Sequence, residues 1–192
     1  VITEEDKKIT AVHEAGHAIV MKNLPTSDSV HEISIIPRGM AAGYTISLPD
    51  DDKMHMSKTK LLEIIVGLLG GRAAEKIVLD DICTGASNDI ERATDLARKM
   101  VTEYGMSDYL GPMTFGSKHN EVFIGKDLSR GRNYSEEVAA AIDKEIRTII
   151  AECYDRALAI LEANKGKLEL ITNKLLEQET INRAEFEELM NM

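Results

Sequence analysis

The chain has 192 residues, 43% of them hydrophobic and 4% aromatic, with 33 acidic against 23 basic side chains and a formal net charge of −10. That is apolar material for one core of ordinary size or two small ones, and the acidic balance argues against general nucleic-acid binding and against docking on an anionic membrane surface. No apolar run approaches the roughly 20 residues of a membrane span: Leu61–Gly71 is interrupted by Glu63 and three glycines. The N-terminal VITEEDKK lacks a signal-peptide pattern. Cys83 and Cys153 form no CxxC, so neither a disulfide framework nor a thiolate zinc cluster is expected. The composition describes a reduced, cytosolic-type soluble chain without direct membrane insertion.

Thr3 followed by Glu4, Glu5 and Asp6 predicts a capped helix start with acids in the first turn, and the helix runs to about Leu24, before Pro25. Val30–Ile36 and Gly43–Leu48 are rich in β-branched residues and joined through PRGMAAG, which predicts a small hairpin, with the acidic turn PDDDK after it. Ser57 caps a helix to about Val78 that is apolar on nearly every side and therefore central. Gly67, Gly70, Gly71, Ala73 and Ala74 let other backbones approach it. TGASND, from Thr84, opens a third helix to about Tyr104. Gly105–Asn133 carries five glycines and little periodicity, which predicts a long irregular connection. Ser135 starts a long helix through about Ala163 with Val138, Ile142, Ile146, Ile149, Cys153, Ala157 and Leu161 on its buried stripe, and Asn164-Lys165-Gly166 ends it. Two short helices close the chain, the last capped by Asn182 with Glu185 three residues on. The fold expected is mainly α, with a small hairpin or sheet.

The first helix carries the chemistry. HEAGH, His13 to His17, fits H-E-x-x-H, in which residues four apart stand one above the other and offer two imidazoles to one metal ion. Glu14, one step round, can reach a metal-bound water without being a ligand. On a helical projection both histidines fall within the apolar face of Ile9, Val12, Ile19, Val20 and Leu24, with Glu14 at its rim. Two core histidines satisfied by backbone carbonyls are the bland alternative. Gly16 costs about 1 kcal/mol against alanine in mid-helix, which close packing would justify.

A catalytic zinc usually takes three protein ligands and leaves one position for water. No third histidine follows at the spacing HExxHxxGxxH requires, and His31, His55 and His119 have no supporting pattern, so a carboxylate is the better candidate. In the helix after TGASND, Asp89 is the one charged residue within the apolar arc of Ile90, Ala93, Leu96, Ala97, Met100, Val101 and Tyr104. Glu91 and Asp95 fall on the charged face. A buried carboxylate needs a partner, although first-turn helix capping would also explain Asp89. Glu75, in GRAAE on the central helix, is the alternative ligand, or else a partner to a zinc-bound histidine.

At HEAGH, GYT (Gly43–Thr45), LLGGRAAE (Leu68–Glu75) and TGASNDIERAT (Thr84–Thr94) the chain resembles the peptidase domain of FtsH-type AAA+ zinc metalloproteases, and TEYGMSDYLGPMTFG and RNYSEEVAAAID extend the resemblance over essentially all 192 residues. The resemblance implies one zinc ion per chain held by His13, His17 and Asp89, with Glu14 as the catalytic general base and acid. It implies that the strand at Gly43, Tyr44 and Thr45 is a sheet edge facing the active-site cleft, where extended substrate pairs through its backbone. Ala41-Ala42 departs from the Ala-Leu expected there.

Residues 1–192 then form one zinc metallopeptidase domain, with a catalytic part of about 1–110, an irregular connection of about 105–133 and a helical part of about 134–192. The expected reaction is hydrolysis of peptide bonds in unfolded or misfolded proteins by a zinc-bound water. No G-x-x-x-x-G-K-[ST] occurs, so the phosphate cradle of an ATPase is missing here. ATP and magnesium belong, by resemblance, to an ATPase domain outside this chain, as do the membrane helices. The resemblance further implies a homohexamer anchored in the bacterial inner membrane, or an organellar one, with this domain on the cytoplasmic, matrix or stromal side.

Overall fold

A computed structural model describes residues 1–49, 54–116 and 133–192. Among these residues are six α-helices, α1 (Glu4–Lys22), α2 (Lys58–Leu79), α3 (Ser87–Thr102), α4 (Glu136–Ala163), α5 (Lys165–Gln178) and α6 (Arg183–Met190), and a three-stranded sheet of β1 (Ser29–Ser34), β2 (Tyr44–Leu48) and β3 (Thr180–Asn182). The mainly α architecture with a small sheet is the one expected from the sequence.

The starts of α1, α2, α4 and α6 follow local chemistry. Thr3 and Asp6 form a reciprocal capping box on α1, and the hydroxyls of Ser57 and Ser135 accept from the backbone N–H groups of Lys60 and Val138. TGASND begins with a 3-10 turn, Thr84–Ala86, and becomes α-helical at Ser87.

α1 and α2 lie antiparallel at the centre. Every residue of α1 from Ala11 to Val20 is buried, so this helix is enclosed on all sides and Glu14 lies inside the structure, not at a rim. The backbones meet closely: a Cβ at Gly16 would sit 2.4 Å from Ala74 Cβ and 2.6 Å from the Gly70 carbonyl oxygen. Around this pair one hydrophobic core gathers, taking in Ile142, Cys153 and Leu161 from α4, Leu168 and Leu175 from α5, and Phe186 from α6.

The sheet has the order β2-β1-β3, both pairings antiparallel. β1 and β2 form the predicted hairpin, with Ser34 opposite Tyr44 and Ile33 opposite Thr45, and the register shifts between Val30 and Glu32. β3 was not expected, because three residues are too few to show a period. It pairs with Glu32–Ser34 and buries Ile181 completely. Asn182 ends this strand and caps α6 by accepting from the Glu185 N–H. The expected stop at Asn164-Lys165-Gly166 is a one-residue joint: α4 ends at Ala163 and α5 begins at Lys165, so Gly166 lies inside a helix. Between Gly105 and Gly116 the chain forms no helix or strand, only an isolated bridge between Ser107 and Gly111, and the rest of the predicted connection, 117–132, lies outside the described residues. None of the described helices is long and apolar enough to cross a membrane.

Because the rigid Ala74 Cβ and the Gly70 backbone, not the end of a flexible side chain, block the space at Gly16, Gly16→Ala is expected to lower stability by about 1–3 kcal/mol despite alanine's helix propensity. Urea unfolding followed by circular dichroism measures this; an unchanged or raised midpoint would contradict the packing argument.

Candidate active site

The α1–α2 contact sets both imidazoles. His17 Nδ1 donates to the Gly67 carbonyl at 2.8 Å. A carbonyl only accepts, so the hydrogen of neutral His17 resides on Nδ1 and its Nε2 is left as a lone pair. His13 occupies space that only a glycine leaves free: a Cβ at Gly71 would stand 2.3–2.6 Å from three atoms of its ring. His13 Nδ1 faces Glu75 Oε2 at 3.6 Å, which directs its other nitrogen, Nε2, toward His17.

Asp89, in the first turn of α3, completes the group. Its Oδ2 lies 3.0 Å from His13 Nε2 and 3.0 Å from His17 Nε2, and the two nitrogens are 3.0 Å apart. Two ring nitrogens and a carboxylate oxygen converge on one point, and with both imidazoles neutral and their Nε2 atoms as lone pairs the three repel one another unless a cation, metal ion or proton, sits among them. A tetrahedral zinc about 2.0–2.1 Å from each donor holds its ligands roughly 3.3 Å apart, so the residues present fit that ion. Among the described residues this is the group of histidine and carboxylate side chains able to hold a metal.

A proton can take the cation's place. Burial opposes the charged form of His13, but its hydrogen bond to Asp89 and the nearby Glu75 carboxylate outweigh that and raise its pKa to about 9. Burial likewise opposes the Asp89 carboxylate, yet the imidazoles of His13 and His17 beside it hold it well below the usual range.

Glu14 stands beside the trio, 8% exposed, with the Thr45 hydroxyl 2.6 Å from its Oε2. Thr45 belongs to β2, an outer strand of the sheet, whose second side has no strand partner among the described residues. A cleft of about 420 Å³ runs between this edge and the helices, lined by Gly43, Tyr44, Thr45 and Ser47 on one side and by Glu14, His17, Gly67 and Asp89 on the other. Gly43 is where the strand presses on α1: a Cβ there would lie 2.6 Å from both Ser34 O and Thr10 Cγ2.

The sequence candidates thus separate in space. His13, His17 and Asp89 share one point, Glu14 adjoins it, and Gly43, Tyr44 and Thr45 line the same cleft. Glu75 is fully buried at the other ring nitrogen of His13, its oxygens without a hydrogen bond and Arg72 Nε 3.9 Å away. Glu91 and Asp95 are exposed on the outer side of α3. His31 and His55 are not in the group, and His119 lies outside the described residues. Sequence reasoning missed the Thr45 side chain as a partner of Glu14 and the Gly67 carbonyl as the partner of His17. The glycines of LLGGRAAE signalled close approach, but not that one of them makes room for an imidazole.

An H-E-x-x-H helix closed by a carboxylate and facing an open strand edge is the arrangement of a metallopeptidase. The pattern of peptidase family M41 matches residues 1–189, and the chain belongs to that family. It is 60% identical over 191 residues to the ATP-dependent zinc metalloprotease FtsH 1 of Thermoanaerobacter sp. (strain X514), covering 100% of this chain and 31% of that protein. It is 58% identical to the ATP-dependent zinc metalloprotease FtsH of Caldicellulosiruptor bescii, over 99% of this chain and 31% of that one. The FtsH of Thermotoga maritima is 49% identical, over 99% and 31% respectively. The chain therefore spans about a third of the length of these curated relatives.

The raised His13 pKa makes the chelator-treated chain pH-sensitive. A folded value of about 9 against histidine's ordinary 6.5 means stabilisation that is complete below pH 6.5 and lost as pH rises through about 9. The melting temperature of the chelated chain is expected to fall across that window, and Asp89→Asn to flatten the fall; a profile that rises or stays level would refute the coupling.

Proposed function

We propose that this chain is the proteolytic part of a zinc-dependent, ATP-driven endopeptidase, with His13, His17 and Asp89 as the zinc ligands and Glu14 as the catalytic carboxylate. The observation that carries the proposal is the convergence of three acceptors, beside a carboxylate and a free strand edge. Zinc, named in the relatives, would supply a Lewis acid that polarises the scissile carbonyl and acidifies water.

The chain's own residues divide the remaining work. The Gly67 carbonyl and Glu75 hold the Nδ1 sides of His17 and His13, so that both Nε2 lone pairs face inward. Glu14 accepts a proton from the attacking water and returns it to the leaving amine. The Thr45 hydroxyl steadies Glu14 and ties it to β2, so base and substrate strand keep one spacing. An extended peptide adds to the β2 edge through its backbone N–H and C=O groups, which selects for unfolded protein more than for a sequence motif.

Residues 1–192 are read as one peptidase domain, with every proposed catalytic and ligand group between His13 and Asp89. The ATP dependence named in the relatives supports an ATPase in the full-length protein that feeds substrate to this cleft. Homohexameric assembly and anchoring in a bacterial or organellar membrane are proposed on the family resemblance.

Glu14→Gln is expected to reduce cleavage of unfolded casein by at least about 100-fold while leaving zinc bound, measured by proteolysis alongside elemental analysis. Cleavage at the parent rate would remove Glu14 from the mechanism. Asp89→Ala is expected to weaken zinc binding by more than about 100-fold and Glu91→Ala to leave it unchanged, measured by chelator competition. Equal losses in the two would show that Asp89 is not the third ligand.

A further inference from the structure

The cleft lining includes Glu14, Asp28, Lys60, Glu63, Asp89 and Arg92 as its charged groups. Five of them are engaged. Glu14 is held by Thr45 and Asp89 by the two histidines. Lys60 pairs with Asp28 at 3.2 Å and donates to the Thr26 carbonyl. Glu63 accepts from the Thr26 backbone N–H and hydroxyl, both at 2.8 Å. Arg92 is exposed and, among the described residues, has no ion pair or hydrogen bond. Asp95, three residues on and positioned for a surface pair, does not meet it. The guanidinium therefore stands one helical turn beyond Asp89, on the wall opposite the β2 edge, with its charge unpaired among the described residues.

We infer that Arg92 is a specificity-determining residue that selects an acidic side chain in the bound peptide. The inference rests on the proposal that an extended peptide occupies the cleft along β2. Successive side chains of such a peptide point to opposite faces, so only alternate positions reach the α3 wall. An aspartate or glutamate there meets Arg92, whose planar fork accommodates a carboxylate through two hydrogen bonds. A lysine at the same position meets a like charge. Positions of the other parity are indifferent to Arg92. The outcome is a charge preference at defined spacing, laid over otherwise sequence-tolerant backbone pairing.

The test uses zinc-loaded chain carrying Glu14→Gln and fluorescein-labelled octapeptides of alanine and valine, with one Asp, Asn or Lys stepped through the sequence. Fluorescence anisotropy is expected to show Asp binding about three- to tenfold more tightly than Lys at alternate positions, at low salt. The difference is expected to shrink at about 0.5 M salt. Arg92→Glu should reverse the order and Arg92→Lys should preserve its sign. Equal binding of the Asp and Lys peptides, or an Asp preference that survives Arg92→Glu, would overturn the inference. Incubating the neutral Asn peptides with chain that retains Glu14 reports separately on the peptidase reading: if they are not cut while the Arg92-dependent preference is present, that reading falls and the charge selection stands.

Discussion

The contact between two helix backbones at Gly16 and Gly70 is the constraint on which the arrangement of this molecule depends. With side chains larger than hydrogen at those points, α1 and α2 could not approach as closely as they do. Their separation decides whether the Gly67 carbonyl lies within reach of His17 and whether the His13 ring fits over Gly71. Both imidazoles thus take their tautomer and orientation from the neighbouring helix. Glycines that weaken α1 and α2 as isolated helices are what let them serve as a rigid platform together.

Electrostatics complete what packing begins. α1 is enclosed over ten residues, yet it carries two histidines and a glutamate, and buried polar groups are tolerated only with partners. Each has one: His17 with the Gly67 carbonyl, His13 with Asp89 and the nearby Glu75, and Glu14 with Thr45, while His17 Nε2 faces Asp89. These partners come from α2, α3 and β2, so the polar groups bind together the elements that surround them. Glu75 and Arg72 are the least satisfied members, with buried atoms that lack hydrogen bonds. Their proximity to His13 makes them the place where the cost of holding this centre together is concentrated.

Much of this was legible in the sequence because the periodicities are strong. The four-residue spacing of His13 and His17 requires one helical face, and the apolar arc around Asp89 turns that carboxylate inward while Glu91 and Asp95 face out. Ser57, Ser135 and Asn182 announced their helices by the ordinary logic of capping. What stayed hidden depends on tertiary contact. β3 is too short to have a pattern, and its pairing with β1 joins residues about 150 positions apart. The Thr45 hydroxyl looked like an ordinary β-strand side chain, since nothing local says that α1 lies beneath it. The joint at Asn164 resembled a stop because glycine after an asparagine is common there, yet the apolar faces of α4 and α5 pack into the same core and the second helix starts at once.

The placement of β3 has a consequence for the direction of traffic through the cleft. The β1–β2 hairpin alone would have two margins, and only the β2 margin lies beside Glu14. The C-terminal segment fills the far margin of β1 with the backbone of β3 and packs α6 against both strands. The far margin of β1 is thus taken by the chain's own strand, and under the proposed function a peptide on the β2 margin lies next to Glu14.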